Sequence, residues 1–491
     1  MAASTTVIPR IGTNDDRFTR RMWGTLFVLC GALFLDALDV SMIGVALPSI
    51  KTDLHMSTSS LQWVVSAYVL GYGGFLLLGG RAADLLGRRR VFLIALGVFV
   101  VASTLSGLAN DGTLLIASRF IKGVSAAFTA PAALSIITTS FAEGRARNKA
   151  LAVFTATGAV GFSLGLVIGG LLTDIGWRWV FFLPAPVALT VLLAGIRLVP
   201  RGTGKAAGAR SLDVFGAVSM TSAMLLLVFT LVEAPGAGFL SARTLGSFAA
   251  VAVILGAFVW WERRAASPLV RLGILRSGNL VRANLGAMAL FGGWVGFQFV
   301  TTLYLQGVLG WSPLQTGLAI FPGGALVVLL SPAILPLIGR FGTTRLIAAG
   351  LLAAAGGYAL FRPIGLDSTY VADMLPTFVL AGIGFAFAFG PLNVAATNGI
   401  AAEEQGLAGG LLNTSFQFGG ALVLAIVTAV NNAYIGTGGG PQAVLDGFHA
   451  AVYVSVIASL VGVVAMLAGR RRTAVVPAGE LPVENALERA A

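Results

Sequence analysis

The sequence predicts an all-α integral membrane protein with fourteen transmembrane helices, set out as two six-helix bundles with two further helices inserted between them. Three observations predict it. Of the 491 residues, 57% are hydrophobic and only 11% are charged, against roughly a quarter charged in a soluble globular chain. Apolar runs of about 20 residues, the length a helix needs to cross the hydrocarbon layer, recur from one end of the chain to the other; the weak alternation of a membrane barrel is not seen. Finally, 26 of the 32 Lys and Arg residues fall in the two tails and in five of the six alternate breaks between runs that lie on the same side, which by the positive-inside rule places both termini in the cytoplasm.

Taken in order, a polar, arginine-bearing tail (1–21) leads into a first span, 22–48, far longer than the core of a cleaved signal peptide. Spans at 61–79, 91–109, 114–138, 150–173 and 179–199 complete a first bundle, 22–199. The seventh and eighth, 213–233 and 244–262, lie between the two longest basic connections, Arg201–Ser211 and Arg263–Arg282, and carry no charge pair within the membrane; with their linkers they occupy 200–283. Six more spans, 284–306, 314–338, 345–361, 374–396, 406–430 and 448–469, form a second bundle, 284–469. No loop is long enough for a soluble domain, and the Ala-, Pro- and Glu-rich 470–491 reads as a disordered cytoplasmic tail.

A repeat accounts for the arrangement. After the second span the chain reads GRAADLLGRRR, Gly80 to Arg90; after the tenth it reads LPLIGRFGTTR, Leu335 to Arg345, with Gly87 matching Gly342 and Arg90 matching Arg345. Equivalent loops in second and tenth place require two six-span halves with the seventh and eighth spans between them, a plan that puts a binding site near the membrane midplane.

Several function classes drop out. The net charge of +12 reflects cytoplasmic loops of a membrane chain rather than a nucleic-acid footprint. Cys30 is the single cysteine, so neither an intrachain disulfide nor a cysteine metal site can form. His55 falls in a predicted loop and His449 at the very edge of the last predicted span, both away from any relay inside the membrane. Gly204–Lys205 lacks the first glycine and the Ser/Thr of a phosphate loop, with Val199 and Ala206 in those places. No enzyme, cofactor or metal is implied by these residues, and the bilayer is the one partner that composition requires.

The candidate site begins with Asp36 and Asp39, two carboxylates inside the apolar first span, where each costs roughly 2.5–3.5 kcal/mol at a helix centre. The fourth span offers Arg119 and Lys122, three apart and on one helix face, as the acids are. At about 1.5 Å per residue, Asp39 and Asp36 lie roughly 13 and 18 Å below Pro48, and Arg119 and Lys122 roughly 8 and 12 Å below Leu114. The two pairs therefore reach similar levels, and a charge-balanced cluster of two acids and two bases is expected between these helices.

With these motifs in place, the chain resembles the major facilitator superfamily, and within it the fourteen-span drug:proton antiporter branch, over residues 22 to 470. GRAADLLGRRR is similar to the family signature between spans two and three, which implies a conformational latch from Gly80, Asp84, Gly87, Arg88, Arg89 and Arg90; Gly339 stands where the second copy would need its Asp. ASRFIKGVSAAF resembles the fourth-span signature, with Arg119 and Gly123 matched and Lys122 replacing Gln. The resemblance implies proton coupling by Asp39 and Arg119, with Asp36 and Lys122 as additions of this chain. GAVGFSLGLVIGGLL, bearing Gly161, Gly165, Gly169 and Gly170, resembles the antiporter signature of the fifth span, but Leu166 replaces its proline; WRWVFFLPAP resembles the entry to the sixth, with Pro184 in place of Asn. Gln62, Tyr68, Trp294, Gln298, Tyr304, Phe385, Phe389, Asn393, Asn413 and Gln417 are candidates to line a pocket that mixes aromatics with few polar groups, which suits an amphipathic organic substrate. The function implied is proton-coupled export of drug-like compounds across the cytoplasmic membrane, with antibiotic resistance as the result. Proton-coupled uptake, lipid or siderophore transport in the same superfamily, and a non-transporting membrane protein are the alternatives.

Overall fold

The computed structural model describes residues 18–468 other than 142–144, 201–212, 239, 266–267, 269, 362–363, 366–367, 401–403 and 436–440. The expected disordered tail, most of the amino-terminal tail and the Arg201–Ser211 linker lie outside the described residues. The described residues form a succession of helices: α1 Arg20–Asp53, α2 Thr58–Leu86, α3 Arg88–Gly107, α4 Gly112–Ser140, α5 Arg145–Ile175, α6 Trp179–Leu198, α7 Val214–Ala237, α8 Ala242–Glu262, α9 Gly278–Gly307, α10 Pro313–Phe341, α11 Thr343–Leu360, α12 Leu375–Thr397, α13 Gln405–Ile435 and α14 Pro441–Leu467. Among the described residues, thirteen of these are long and apolar enough to cross a membrane, and α7 adds a shorter apolar stretch, Phe215–Leu227.

Short polar side chains set where the helices start. Ser57, Asp111, Ser241 and Ser277 each accept a hydrogen bond from a backbone N–H of the first turn that follows, and Ser312 forms a reciprocal capping box with Gln315, satisfying donors a helix leaves unpaired. Several helices extend past the expected spans, and at two places proline sets the difference. α1 continues past Pro48 to Asp53, because proline's fixed φ is compatible with a helix that gives up one hydrogen bond. α6 is interrupted at Leu183, and its longer segment begins on Pro184, the favoured place for proline at a helix start.

Helix packing repeats the sequence repeat. In the first bundle α2 packs on α4, α1 on α5, α3 on α4 and on α6, and α1 on α6; adding eight to each number gives the packing of α9–α14. Between the bundles α5 meets α10, α2 meets α13 and α1 meets α9, pairings that exchange under the same operation. Gly87 and Gly342, matched in sequence, both take positive φ, +95° and +77°, in turns that join one helix directly to the next. The inserted α7 and α8 pair with one another, and α7 leans on the seam between α2 and α13, where Thr221 donates to the Gly74 carbonyl at 2.7 Å.

We call the side that holds Phe18 and Ala468 inner. On the outer side the bundles are in close contact. Gln306 Nε2 donates to the Val45 carbonyl at 2.8 Å, and a Cβ at Gly170 would lie 2.7 Å from Leu314 Cα and from the Pro313 carbonyl. The contact of α5 with α10 extends to Ser163 against Gly324. Towards the inner ends of the same helices Thr155, Ala156, Leu329, Ser331 and Pro332 are exposed.

Candidate functional site

The centre of the first bundle is an ion cluster. Asp39, on α1, accepts from Arg119 Nη1 with one carboxylate oxygen and from Lys122 Nζ with the other. None of the three side chains is more than 1% exposed. Three residues of spacing on α4 bring both bases to one face, and the depths reckoned from helix rise place that face opposite Asp39. Each base makes a further bond. Arg119 Nε bonds the Val64 carbonyl of α2 at 3.0 Å, and Lys122 Nζ bonds Ser103 Oγ of α3 at 2.8 Å. Ser103 in turn donates to the Phe181 carbonyl of α6 at 2.9 Å. The guanidinium lies 4.5 Å from the Tyr68 ring centroid and the ammonium 4.6 Å from that of Phe99, attractions that strengthen away from water.

Asp36 is not paired as expected. Both bases bond Asp39, so the cluster is one acid and two bases with the second acid beside it. Depth gives the reason: by helix rise Asp39, roughly 13 Å below the outer end of its span, lies nearer the level of the bases, roughly 8 and 12 Å down, than Asp36 at roughly 18 Å. Asp36 lies within electrostatic range of Asp39, Lys122, Tyr68 and Tyr72. It is 6% exposed, and its Oδ2 has no hydrogen-bond partner among the described residues.

Glycines bring α5 against the back of this acidic turn. A Cβ at Gly161 would lie 2.8 Å from the Phe34 carbonyl, one at Gly165 2.8 Å from the Leu38 carbonyl, and one at Gly169 2.7 Å from Met42 Cα. The stripe thus packs along α1 at intervals of one turn. Gly170 points the other way, to α10, as does the Leu166 carbonyl, which meets Gly317. α5 runs unbroken through Leu166, the place of the family's proline. In the 80–90 loop, Gly80 and Gly87 flank the end of α2, and Arg89 Nη2 bonds the Ile196 carbonyl at 2.6 Å, fastening α3 to the last turn of α6 within the same bundle. The Asp84 side chain lies outside the described residues; Arg88 has an interaction within the protein, and Arg90 is exposed.

The candidate pocket residues divide into four groups. Tyr68 belongs to the ion cluster, beneath Arg119, and Gln62 is buried on the same helix with Nε2 unpartnered. Trp294, Phe385 and Phe389 form a line of rings: Phe162 of α5 contacts Trp294 at 6.0 Å, Trp294 contacts Phe385 at 6.1 Å, and Phe389 stacks on Phe385 at 5.4 Å and reaches Phe416 at 5.2 Å. Gln298 abuts Gly44 of α1, and Gln417 abuts Gly73 of α2, so both lie where the bundles meet. Asn393 and Asn413 bond carbonyls of their own helices, at Phe389 and Gly409, and Tyr304 bonds the Gly365 carbonyl, a structural tie in the second bundle. Sequence reasoning missed Ser103, Phe99 and Phe181. A serine inside an apolar span was the only available signal.

Three comparisons bear on the arrangement. The sequence model of the Major Facilitator Superfamily matches residues 29–424. The puromycin resistance protein pur8 of Streptomyces alboniger is 39% identical over 91% of this chain and 90% of its own length. The cephamycin export protein CmcT of Amycolatopsis lactamdurans is 38% identical over 85% and 86%. Among solved structures, an auto-inhibited peptide transporter of the POT family superposes with a TM-score of 0.66 at 15% identity, covering 93% of this chain and 99% of that one, a likeness of fold.

Proposed function

The chain belongs to the Major Facilitator Superfamily, and from that premise we propose that it is a secondary active exporter of drug-like amphipathic compounds, driven by protons and conferring antibiotic resistance. It works as a monomer in the cytoplasmic membrane with both termini in the cytoplasm. The observation that carries the reading is the buried cluster of Asp39, Arg119 and Lys122 with Asp36 beside it. Ionisable groups at such depth are costly for stability alone and mark ion pathways. The relatives named above resist or export antibiotics, and the line of rings from Phe162 to Phe416, flanked by Gln298 and Gln417, offers an amphipathic molecule flat apolar faces with a few polar anchors.

The energetics suffice. A potential of about 150 mV supplies roughly 3.5 kcal/mol per proton, enough for a concentration ratio of about 300. Everted membrane vesicles test the reading: an imposed pH gradient, acid inside, should drive puromycin accumulation by the wild type and not by Asp39→Asn. Accumulation that survives a protonophore would overturn proton coupling, and substrate movement with the proton rather than against it would identify uptake.

A further inference from the structure

Within that proton-driven reading, on which this inference rests, the geometry assigns the exchanged proton to Asp36, leaving Asp39 as a fixed counter-ion. Asp39 has both oxygens engaged by cations, so a proton on it would remove the charge that holds Arg119 and Lys122 and leave two buried cations without their counter-ion. Asp36 has a buried oxygen with nothing donating to it, and a proton placed there breaks no bond. An ionised carboxylate without a donor in such surroundings is the costly form, which the neutral acid avoids. The arrangement described here therefore accommodates Asp36 with its proton.

Position relative to the moving parts points the same way. Asp39, its two cations on α4 and their further partners, Val64 of α2 and Ser103 of α3, belong to one bundle, and these bonds need not break when two bundles rock against each other. Asp36 shares a helix face with Val40, one turn outward. Val40 and Tyr72 both pack on the cluster that joins Tyr68 of α2 and Ala126 of α4 to Ala421 and Ala425 of α13 in the other bundle. A change at this seam alters the surroundings of Asp36 directly. The titratable or charged groups that act on it are Asp39 from α1, Lys122 from α4, and Tyr68 and Tyr72 from α2; the face α5 turns to α1 carries glycines.

The sign follows from which state holds the proton. Protonated Asp36 fits the outer-closed arrangement, so acid should favour closed outer ends and alkali should open them. Nitroxide labels at Ile175 and Leu318, exposed at the outer ends of α5 and α10, report this distance in the full-length protein in lipid nanodiscs, with Cys30→Ser removing the native thiol. For one coupled proton the closed-to-open ratio changes by up to about tenfold per pH unit. The wild type and Asp36→Glu should titrate in this way. Asp36→Asn, a permanent mimic of the neutral acid, should stay closed, with less than about a twofold change over the same range. Asp39→Asn, where it folds, should keep a pH response. An Asp36→Asn protein that titrates like the wild type overturns the inference, whatever Asp39→Asn does. A wild type with no response removes the proton-driven reading itself.

Discussion

Replacing Gly170 by alanine should open the outer side of this protein. In the outer-closed arrangement the new Cβ would lie 2.7 Å from Leu314 Cα and 2.7 Å from the Pro313 carbonyl. Both are backbone atoms at the start of α10, so no side chain can swing aside, and α5 and α10 must separate by several tenths of an ångström. Overpacking of this kind costs typically 1–3 kcal/mol. Because the clash exists only while the outer ends touch, the whole cost falls on the closed state, and at 1.4 kcal/mol per decade the closed-to-open ratio falls by roughly fivefold to a hundredfold. Gly317→Ala, which would press on the Leu166 carbonyl from the opposite helix, should act in the same direction. The label pair at Ile175 and Leu318 measures the effect as a gain of long distances. Gly339→Ala, at a position with open space around it, is the control. Unchanged distance distributions in Gly170→Ala and Gly317→Ala would refute the claim that α5 and α10 form the outer closure.

Two further outcomes test the ion cluster and the ring line. Lys122→Ala removes one of the two cations on Asp39 and should destabilise the protein by about 3–5 kcal/mol, whereas Ser103→Ala removes one hydrogen bond to the ammonium and should cost about 1.5–3 kcal/mol; thermal unfolding in detergent should rank them in that order, and the reverse order would show that Ser103 does more than hold Lys122. Trp294→Leu removes ring contacts to Phe162 and Phe385 and leaves a flat substrate one face poorer, so resistance to aromatic compounds should fall by about two- to tenfold, at 0.5–1.5 kcal/mol per ring contact. Equal loss for aromatic and aliphatic compounds in a susceptibility panel would place Trp294 outside the substrate path.

Much of this molecule is written locally. Span number follows from runs of apolar residues, because the bilayer demands one length and one hydrogen-bonding solution. The two-bundle plan follows from one repeated loop, and the positive φ of both Gly87 and Gly342 shows why glycine stands at each. That Asp39 needs bases, and that α4 carries them at its depth, follows from the cost of burial and the rise of a helix.

Partner choice is different. Four ionisable residues on two helices allow several pairings, and the sequence alone leads to the expectation of a charge-balanced cluster without saying which base serves which acid. The tertiary structure gives both to Asp39, because the azimuth of each side chain depends on how α1 and α4 are rotated and on where α2 and α3 place Val64 and Ser103. Likewise, Tyr68 reads in sequence as a pocket aromatic and packs beneath a guanidinium. Composition and spacing along one helix determine what must be compensated and at what depth. Which atom compensates it, and which acid is left open at the seam between bundles, is decided only when all the helices are packed together, since rotation about a helix axis leaves no mark in its own sequence.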